Sequence, residues 1–251
     1  DEIDYAIFDI IKEITPTLTP KVVYQALQDN CWRIRLIAAF TIGQMKLPEG
    51  RTYLRPLLED KNDAVVATTY EALGILQDAA IFEQAIAALY HNNPLIQVSA
   101  IEALGSIGNA EAIPHLISIW EKNLVEDDSR HLIVESLGKF HEPTLIPFFL
   151  SALNNANYNY IQGSAAAALG ALGDYSTVKS LVENIQSDSQ VKMALIQIQS
   201  PETIPLLINN LQANRGVVAT VELLGFMPHY NIDAKEAVPS LIKSLKNKNY
   251  R

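Results

Sequence analysis

His131 and Glu135 stand four residues apart, the spacing that brings two side chains to one face of a helix. Such a pair can offer two ligands to a metal ion. None of the other histidines, His91, His115, His141 and His229, adds a third at a spacing that zinc sites use. The pair therefore reads as a surface contact, and no metal is expected. Cys31 has no CxxC partner. Arg33 and Arg35 beside it would favour a thiolate, but the expectation is a buried, inert thiol. Glu126-Asp127-Asp128 reads as the solvated loop before a helix, with Asp128 or Ser129 as its cap, rather than as a calcium site. The sequence holds no Gly-rich phosphate loop, nucleophile elbow or zincin motif. No catalytic constellation emerges, and no cofactor is expected.

The elements that must position these groups recur along the chain. The unit is clearest at Gln162–Asp174, QGSAAAALGALGD. Its core, Ala-Leu-Gly, one residue, then an aliphatic, returns around Gly43, Gly74, Gly105, Gly138, Gly170 and Gly225. The first four spacings are 31, 31, 33 and 32 residues. The last, 55, hides a degenerate copy with Ile196 in the glycine slot. A fixed period near 30 means stacked supersecondary units. Each reads as a shorter helix A, often with a proline one turn in (Pro56, Pro114, Pro147, Pro205, Pro239), a polar turn, and a glycine-terminated helix B. The expected pairs are 19–28 with 31–45, 50–59 with 62–76, 79–91 with 94–107, and 110–123 with 127–140. They continue as 142–153 with 158–172, 175–186 with 188–198, and 200–212 with 214–227. A helix at Glu2–Ile14 precedes them and a last helix A at 234–247 follows. No linker divides the chain, so residues 1–251 read as one domain. The closing KNKNYR resembles a turn leading into another helix B, which leaves open that the domain is a segment of a longer array.

Counting back from the glycine, positions −9, −5, −2 and −1 of helix B are mostly apolar and fall on one face. The small residues at −5 and −2 let helices approach closely, and the glycine is expected to adopt the left-handed conformation that ends a helix. The opposite face is expected at −7, −3 and +1. It places Glu71, Glu102 and Glu135 in one slot of three successive units, with Phe40 before them and Glu222 after a gap at Ala167. His131, Lys139 and Phe226 share that face. The row reads either as solvated glutamates or as an acidic groove for a basic or amphipathic partner. Among the aromatics, Trp32, Phe40, Tyr70, Tyr158, Tyr160 and Phe226, two or three are expected to be exposed as interface anchors.

Composition narrows the class. The formal net charge of −9 weighs against a nucleic-acid surface. No apolar run reaches the roughly 18–20 residues of a membrane span. The acidic first residues are not a signal peptide, and one cysteine fits a reducing, cytoplasmic compartment.

The pattern V/I-x-x-x-A-x-x-A-L-G-x-L/I-G followed by x-A-I/V-P-x-L-I-x-x-L resembles the HEAT repeat, specifically the short phycobilin-lyase-type HEAT-like repeat of bacteria, over residues 19–247. The resemblance implies an all-α, right-handed α-solenoid of about seven helix pairs plus terminal helices, with helix B lining the concave side. It also implies a ladder in which an arginine at −8 pairs with an aspartate before helix B. Here −8 reads Arg35, Val66, Gln97, Arg130, Gln162, Asp188 and Val217, so the ladder is expected to be interrupted. Three functions follow. The first is a non-enzymatic scaffold that binds a protein or peptide on the helix-B face. The second, implied by the resemblance, is a phycobilin lyase subunit or bilin chaperone, paired with a second HEAT-like subunit or a phycobiliprotein. In that case Trp32, Arg33, Arg35, Tyr53 and Arg55, with Arg51, form the basic-aromatic cluster for a tetrapyrrole or anion. The third is the sensor or docking region of a larger signalling protein.

Overall fold

A computed structural model describes residues 19–155, 159–186 and 189–245; the expected helix at Glu2–Ile14 and Tyr158 lie outside them. The described residues contain fifteen α-helices and no strand. They divide into two compact units, Asp1–Phe140 and His141–Arg251. In the first, α1 (Pro20–Ala26) pairs with α2 (Trp32–Gln44), and α3 (Gly50–Leu54, continued by a 3₁₀ turn at Arg55–Glu59) with α4 (Asp63–Ile75). Next, α5 (Phe82–Ala88) pairs with α6 (Pro94–Ile107), and α7 (Ile113–Glu121) with α8 (Arg130–Gly138). In the second unit, α9 (Ile146–Asn155) pairs with α10 (Asn159–Leu172), α11 (Val178–Glu183) with α12 (Ser189–Ile198), and α13 (Thr203–Gln212) with α14 (Val217–Phe226). A further helix A, α15 (Val238–Leu245), follows. These are the seven pairs that the periodicity predicts.

Local chemistry sets the helix starts. Asn62 and Asn93 cap α4 and α6, each accepting from the backbone N–H two residues on. Pro114, Pro147 and Pro239 sit second in α7, α9 and α15, where no intrahelical partner is lost. Asp127–Ser129 form a 3₁₀ turn, and Ser129 at the N-cap of α8 makes no side-chain capping bond, contrary to the expectation for Asp128 or Ser129.

The marker glycines do not end their helices in a left-handed conformation, and only Gly138 is the last residue of its helix. All six lie within helix B, and none is left-handed. Their role is close packing. A Cβ placed on Gly43, Gly74 or Gly170 would lie 3.0, 2.7 or 2.8 Å from the Cα of Ala72, Ala103 or Ala194, and one on Gly105 would lie 2.7 Å from Cβ of Ser136. Each partner is the −2 residue of the next helix B. The glycine and the small −2 residue together form the joint between repeats. Ile196, in the glycine slot of α12, fills this space with its own buried side chain, and α12 packs less closely on α14 than on α10.

The left-handed residue comes three positions later, at Lys46, Gln77, Gly108, His141, Gly173 and Gln199, with φ between 49° and 74°. Only two of these six are glycine. The next residue then restarts the chain: Asp78, Asn109 and Asp174 each accept from the N–H two residues on and open the 3₁₀ turn that leads into helix A. The non-glycine residues bear a steric cost that glycine does not. Gln199→Gly is expected to stabilise the His141–Arg251 unit by about 0.5–1 kcal/mol, measured as a shift in the urea midpoint without a change in slope.

Candidate functional site

The helix-B packing brings Glu71, Glu102 and Glu135 onto α4, α6 and α8 of the Asp1–Phe140 unit, at the same −3 position of three adjacent helices. The joints at Gly74 and Gly105 hold these helices at close range. Glu71 and Glu102 are half-buried, whereas Glu135 is exposed. The Ser99 hydroxyl donates to Glu71 Oε1 at 3.0 Å. Burial, followed at some remove by the negative charge of Glu102, still pushes the Glu71 carboxyl above its ordinary value of 4.5. Burial likewise raises Glu102; Glu135 adds to the rise, while Lys139 and His131 oppose it. Lys139 Nζ donates to the Ser106 hydroxyl at 3.1 Å. Apolar residues occupy the −3, +1 and −7 positions of α2, α4 and α6: Phe40 and Val98 are half-buried, and Ile75 is exposed. The helix-B positions thus carry partly desolvated negative charge together with one exposed aliphatic side chain, Ile75.

A carboxyl whose folded pKa is raised binds more protons folded than unfolded between the two values. The charged form therefore weakens the fold as pH rises through that window, which opens at about 4.5. Glu71→Gln and Glu102→Gln are each expected to stabilise the chain at pH 7, by on the order of 1 kcal/mol. The gain should vanish near pH 4, and thermal melts at the two pH values measure it.

The −7 position does not belong wholly to this face, because Ala67 and Gly163 are buried between helices. Glu222 and Phe226 lie in the other unit, on α14. Glu222 is paired with Lys192 at 2.5 Å and Phe226 is exposed. Tyr70 is buried, not an exposed anchor, whereas Tyr160 is exposed.

The sequence profile of HEAT repeats matches residues 19–90 and 124–197, more than half of the chain. This chain is a HEAT-repeat protein. The profile of the PBS lyase HEAT-like repeat matches residues 96–119 as well. No protein of curated function matches the chain significantly. Among solved structures, a chain of the complex of CpcE and CpcF of phycocyanin lyase from Nostoc sp. PCC7120 shares its fold. The TM-score is 0.58 at 17% identity, over 90% of this chain and 95% of that one. Human deoxyhypusine hydroxylase in complex with glycerol aligns over 90% of this chain and 94% of its own at 18% identity, with a TM-score of 0.43.

In this HEAT-repeat protein the −8 ladder is less broken than its charges suggest. Arg35 forms a two-bond ion pair with Asp60, at 2.6 and 2.7 Å, and donates to the carbonyls of Asp29 and Asn30. Gln97 performs the same task with a neutral amide, donating to the carbonyls of Leu89 and Leu124, and Gln162 donates to that of Leu153. Arg130 stacks on the Trp120 ring and donates to the Trp120 carbonyl. Each ties helix B to the end of its own helix A, a role open to any long side chain with N–H donors. Val66 has no donor to give.

The basic-aromatic cluster is divided among internal contacts. Arg35 is committed to Asp60. Arg55 holds Asp78 through two bonds of 2.7 Å, and Arg51 donates to the Leu76 carbonyl. Tyr53 stacks on Tyr24 with centroids 4.5 Å apart, and exposed Arg33 lies over the Trp32 ring. Cys31 is exposed at the N-cap of α2, not buried. His131 is half-buried beside the acidic row. Among the described residues no three of His, Cys, Asp and Glu gather closely enough to hold a metal ion, and no helix is long and apolar enough to cross a membrane.

Proposed function

We propose that this HEAT-repeat protein is a binding scaffold, and that the helix-B face of α2, α4, α6 and α8 docks a basic, amphipathic segment of a protein partner. The observation that carries this reading is the row Glu71–Glu102–Glu135, of which two carboxylates are half-buried. Their burial is a cost in the free chain. A cation laid against them regains Coulomb energy in a low-dielectric site and removes that cost, while Phe40 and Ile75 take up the apolar side of the segment. The solenoid architecture suits this use, because repeats present a long surface without needing a closed pocket.

The triple variant Glu71→Lys/Glu102→Lys/Glu135→Lys is the test. Capture of a partner from native extract by the wild type should fall about a hundredfold in the variant, if each reversed charge contributes roughly 1 kcal/mol. Helicity should be unchanged, and binding by the wild type should weaken with added salt. Equal capture by both proteins would place the interface elsewhere.

A second reading, a lyase-type subunit that handles a bilin with another HEAT-like chain, is supported by the fold shared with a chain of the CpcE–CpcF complex. The commitment of Arg35 and Arg55 to aspartates leaves Arg33 as the guanidinium of the Trp32–Tyr53 cluster best placed to meet a propionate. An absorbance change on mixing the chain with a bilin, lost in Arg33→Ala, is the expected result under that reading.

A further inference from the structure

In the first unit, arginine fills the gap between the start of α3 and the turn that follows α4. Counted from Leu54, the fully buried leucine of α3, Arg51 stands three residues before and Arg55 one after. Arg51 donates to the Leu76 carbonyl at the end of α4. Arg55 holds the Asp78 carboxylate through two bonds of 2.7 Å, and Asp78 is left 4% exposed. The corresponding leucine of α13 is Leu207, which is fully buried too. The residues at the same offsets from it are Ile204 and Ile208, so α13 brings no guanidinium to the equivalent place.

What stands there is a cleft of about 340 Å³. Pro201, Thr203 and Ile204 line it where Pro48, Gly50 and Arg51 stand in the first unit, and Met227 lines it at the position of Leu76. The turn that faces them is longer. Asp233 follows Gly225 by eight residues, whereas Asp78 follows Gly74 by four. Each of these aspartates accepts from the backbone N–H two residues on. Asp233 and Glu236 line the cleft with exposed carboxylates. Lys235 Nζ comes within 3.4 Å of Asp233 but is 88% exposed, so it screens the charge weakly. Thr203 also lines the cleft. It is 2% exposed, and its Oγ1 is buried without a hydrogen-bond partner. Such a hydroxyl is costly in the free chain, and a donor is what it lacks. We propose that this cleft binds a guanidinium group, carried by a small molecule or by an arginine side chain. The carboxylates of Asp233 and Glu236 supply the charge, Thr203 Oγ1 accepts one N–H, and Leu195, Ile204 and Met227 take the alkyl stem. A guanidinium has five N–H donors in one plane and can serve several acceptors at once, which an ammonium does less well. The site is independent of the acidic row, which lies in the other unit.

Methyl NMR of the 251-residue chain labelled with [methyl-13C]methionine tests this. Of the three methionines, only Met227 lines the cleft. Titration with n-butylguanidine should shift Met227 saturably and leave Met45 and Met193 in place, with a Kd on the order of 1 mM for so few atoms. n-Butylamine should bind more weakly. Asp233→Asn/Glu236→Gln should weaken binding about tenfold, and asparagine keeps the turn because it too accepts from the Lys235 N–H. Thr203→Val should weaken it about threefold without lowering the melting temperature, since the hydroxyl has no bond to lose in the free chain. Ile208→Arg places a guanidinium where Arg55 stands in the first unit, and should abolish binding. The peptide acetyl-Gly-Arg-Gly-amide separates the two sources. Binding as tight as that of n-butylguanidine supports the site and assigns it to a partner's arginine; exclusion of the peptide supports it and assigns a free guanidino compound. No saturable shift of Met227, equal binding of n-butylamine, or undiminished binding by any of the three variants overturns the proposal.

Discussion

Gly74→Leu is expected to cost the Asp1–Phe140 unit about 3 kcal/mol or more. The added side chain would start 2.7 Å from the Cα of Ala103, and the obstacle is backbone rather than the end of a flexible side chain. Helices α4 and α6 would have to separate, and the joints that place Glu71 beside Glu102 would open with them. Overpacking of a close-packed interior commonly costs 1–3 kcal/mol, and the upper end applies where neither side can yield. For a unit of this size, about 3 kcal/mol lowers the melting temperature by roughly 6–12 °C. The only two tryptophans, Trp32 and Trp120, both lie in this unit, so their fluorescence reports its unfolding. The same change at the same repeat position, Gly225→Leu, meets nothing within 4 Å. There leucine's better helix propensity acts alone, worth up to about 1 kcal/mol, and the circular-dichroism melt should be unchanged or higher. Equal destabilisation at both sites would show that the glycines matter for backbone conformation and not for helix approach.

The second large effect is expected at Asp60. Its carboxylate accepts two bonds from Arg35 and one from the N–H of Asn62, and its side chain is 8% exposed. Asp60→Ala removes the charge but leaves the Arg35 guanidinium largely enclosed. Breaking such a pair from one side costs about 3 kcal/mol, the lower end of the range for buried pairs because Arg35 keeps its bonds to the carbonyls of Asp29 and Asn30. Arg35→Met/Asp60→Ala should regain at least half of the loss, since no buried charge then lacks its partner. A pH profile separates this role from simple packing. The bond from Arg35 holds the Asp60 carboxyl below its ordinary value of 3.8. Its contribution is therefore complete above about that pH and is lost as pH falls through the lower, folded value. The difference between wild type and Asp60→Ala should shrink below pH 4. A gap that does not shrink at all as pH falls below 4 would assign Asp60 to packing instead.

The fold was legible because its information is local. Helix B announces itself through apolar residues at 3.6-residue spacing, and Ile96, Ala100, Ala103 and Leu104 are buried as that spacing requires. Helix A announces itself through proline in its first turn. The turn chemistry could also have been found: Gly108-Asn109 and Gly173-Asp174 are left-handed residue and cap in sequence. Gln77-Asp78 hides the same turn, because glutamine carries no signal for positive φ. The marker glycine misled, because glycine answers two demands equally well. It permits a left-handed turn and it permits close approach, and only the neighbouring helix shows which applies. The ladder misled for a similar reason. Gln97 and Gln162 supply the N–H donors of an arginine without its charge, and the carbonyls they bind lie eight or more residues away.

For the candidate site, the sequence by itself determined the positions of Glu71, Glu102 and Glu135, since a repeat near 30 residues returns the same helical slot to the same face. It also determined the number of helix pairs and most of the core. Only the tertiary structure decided what those groups are worth. Burial by neighbouring repeats raises Glu71 and Glu102, while Glu135 stays exposed at the same slot. Asp60 and Asp78, 25 and 23 residues beyond their arginines, consume charges that looked available to a ligand. The reason is one of range: propensity and periodicity act over a turn or two of helix, whereas desolvation and ion pairing depend on whatever atoms the fold brings alongside.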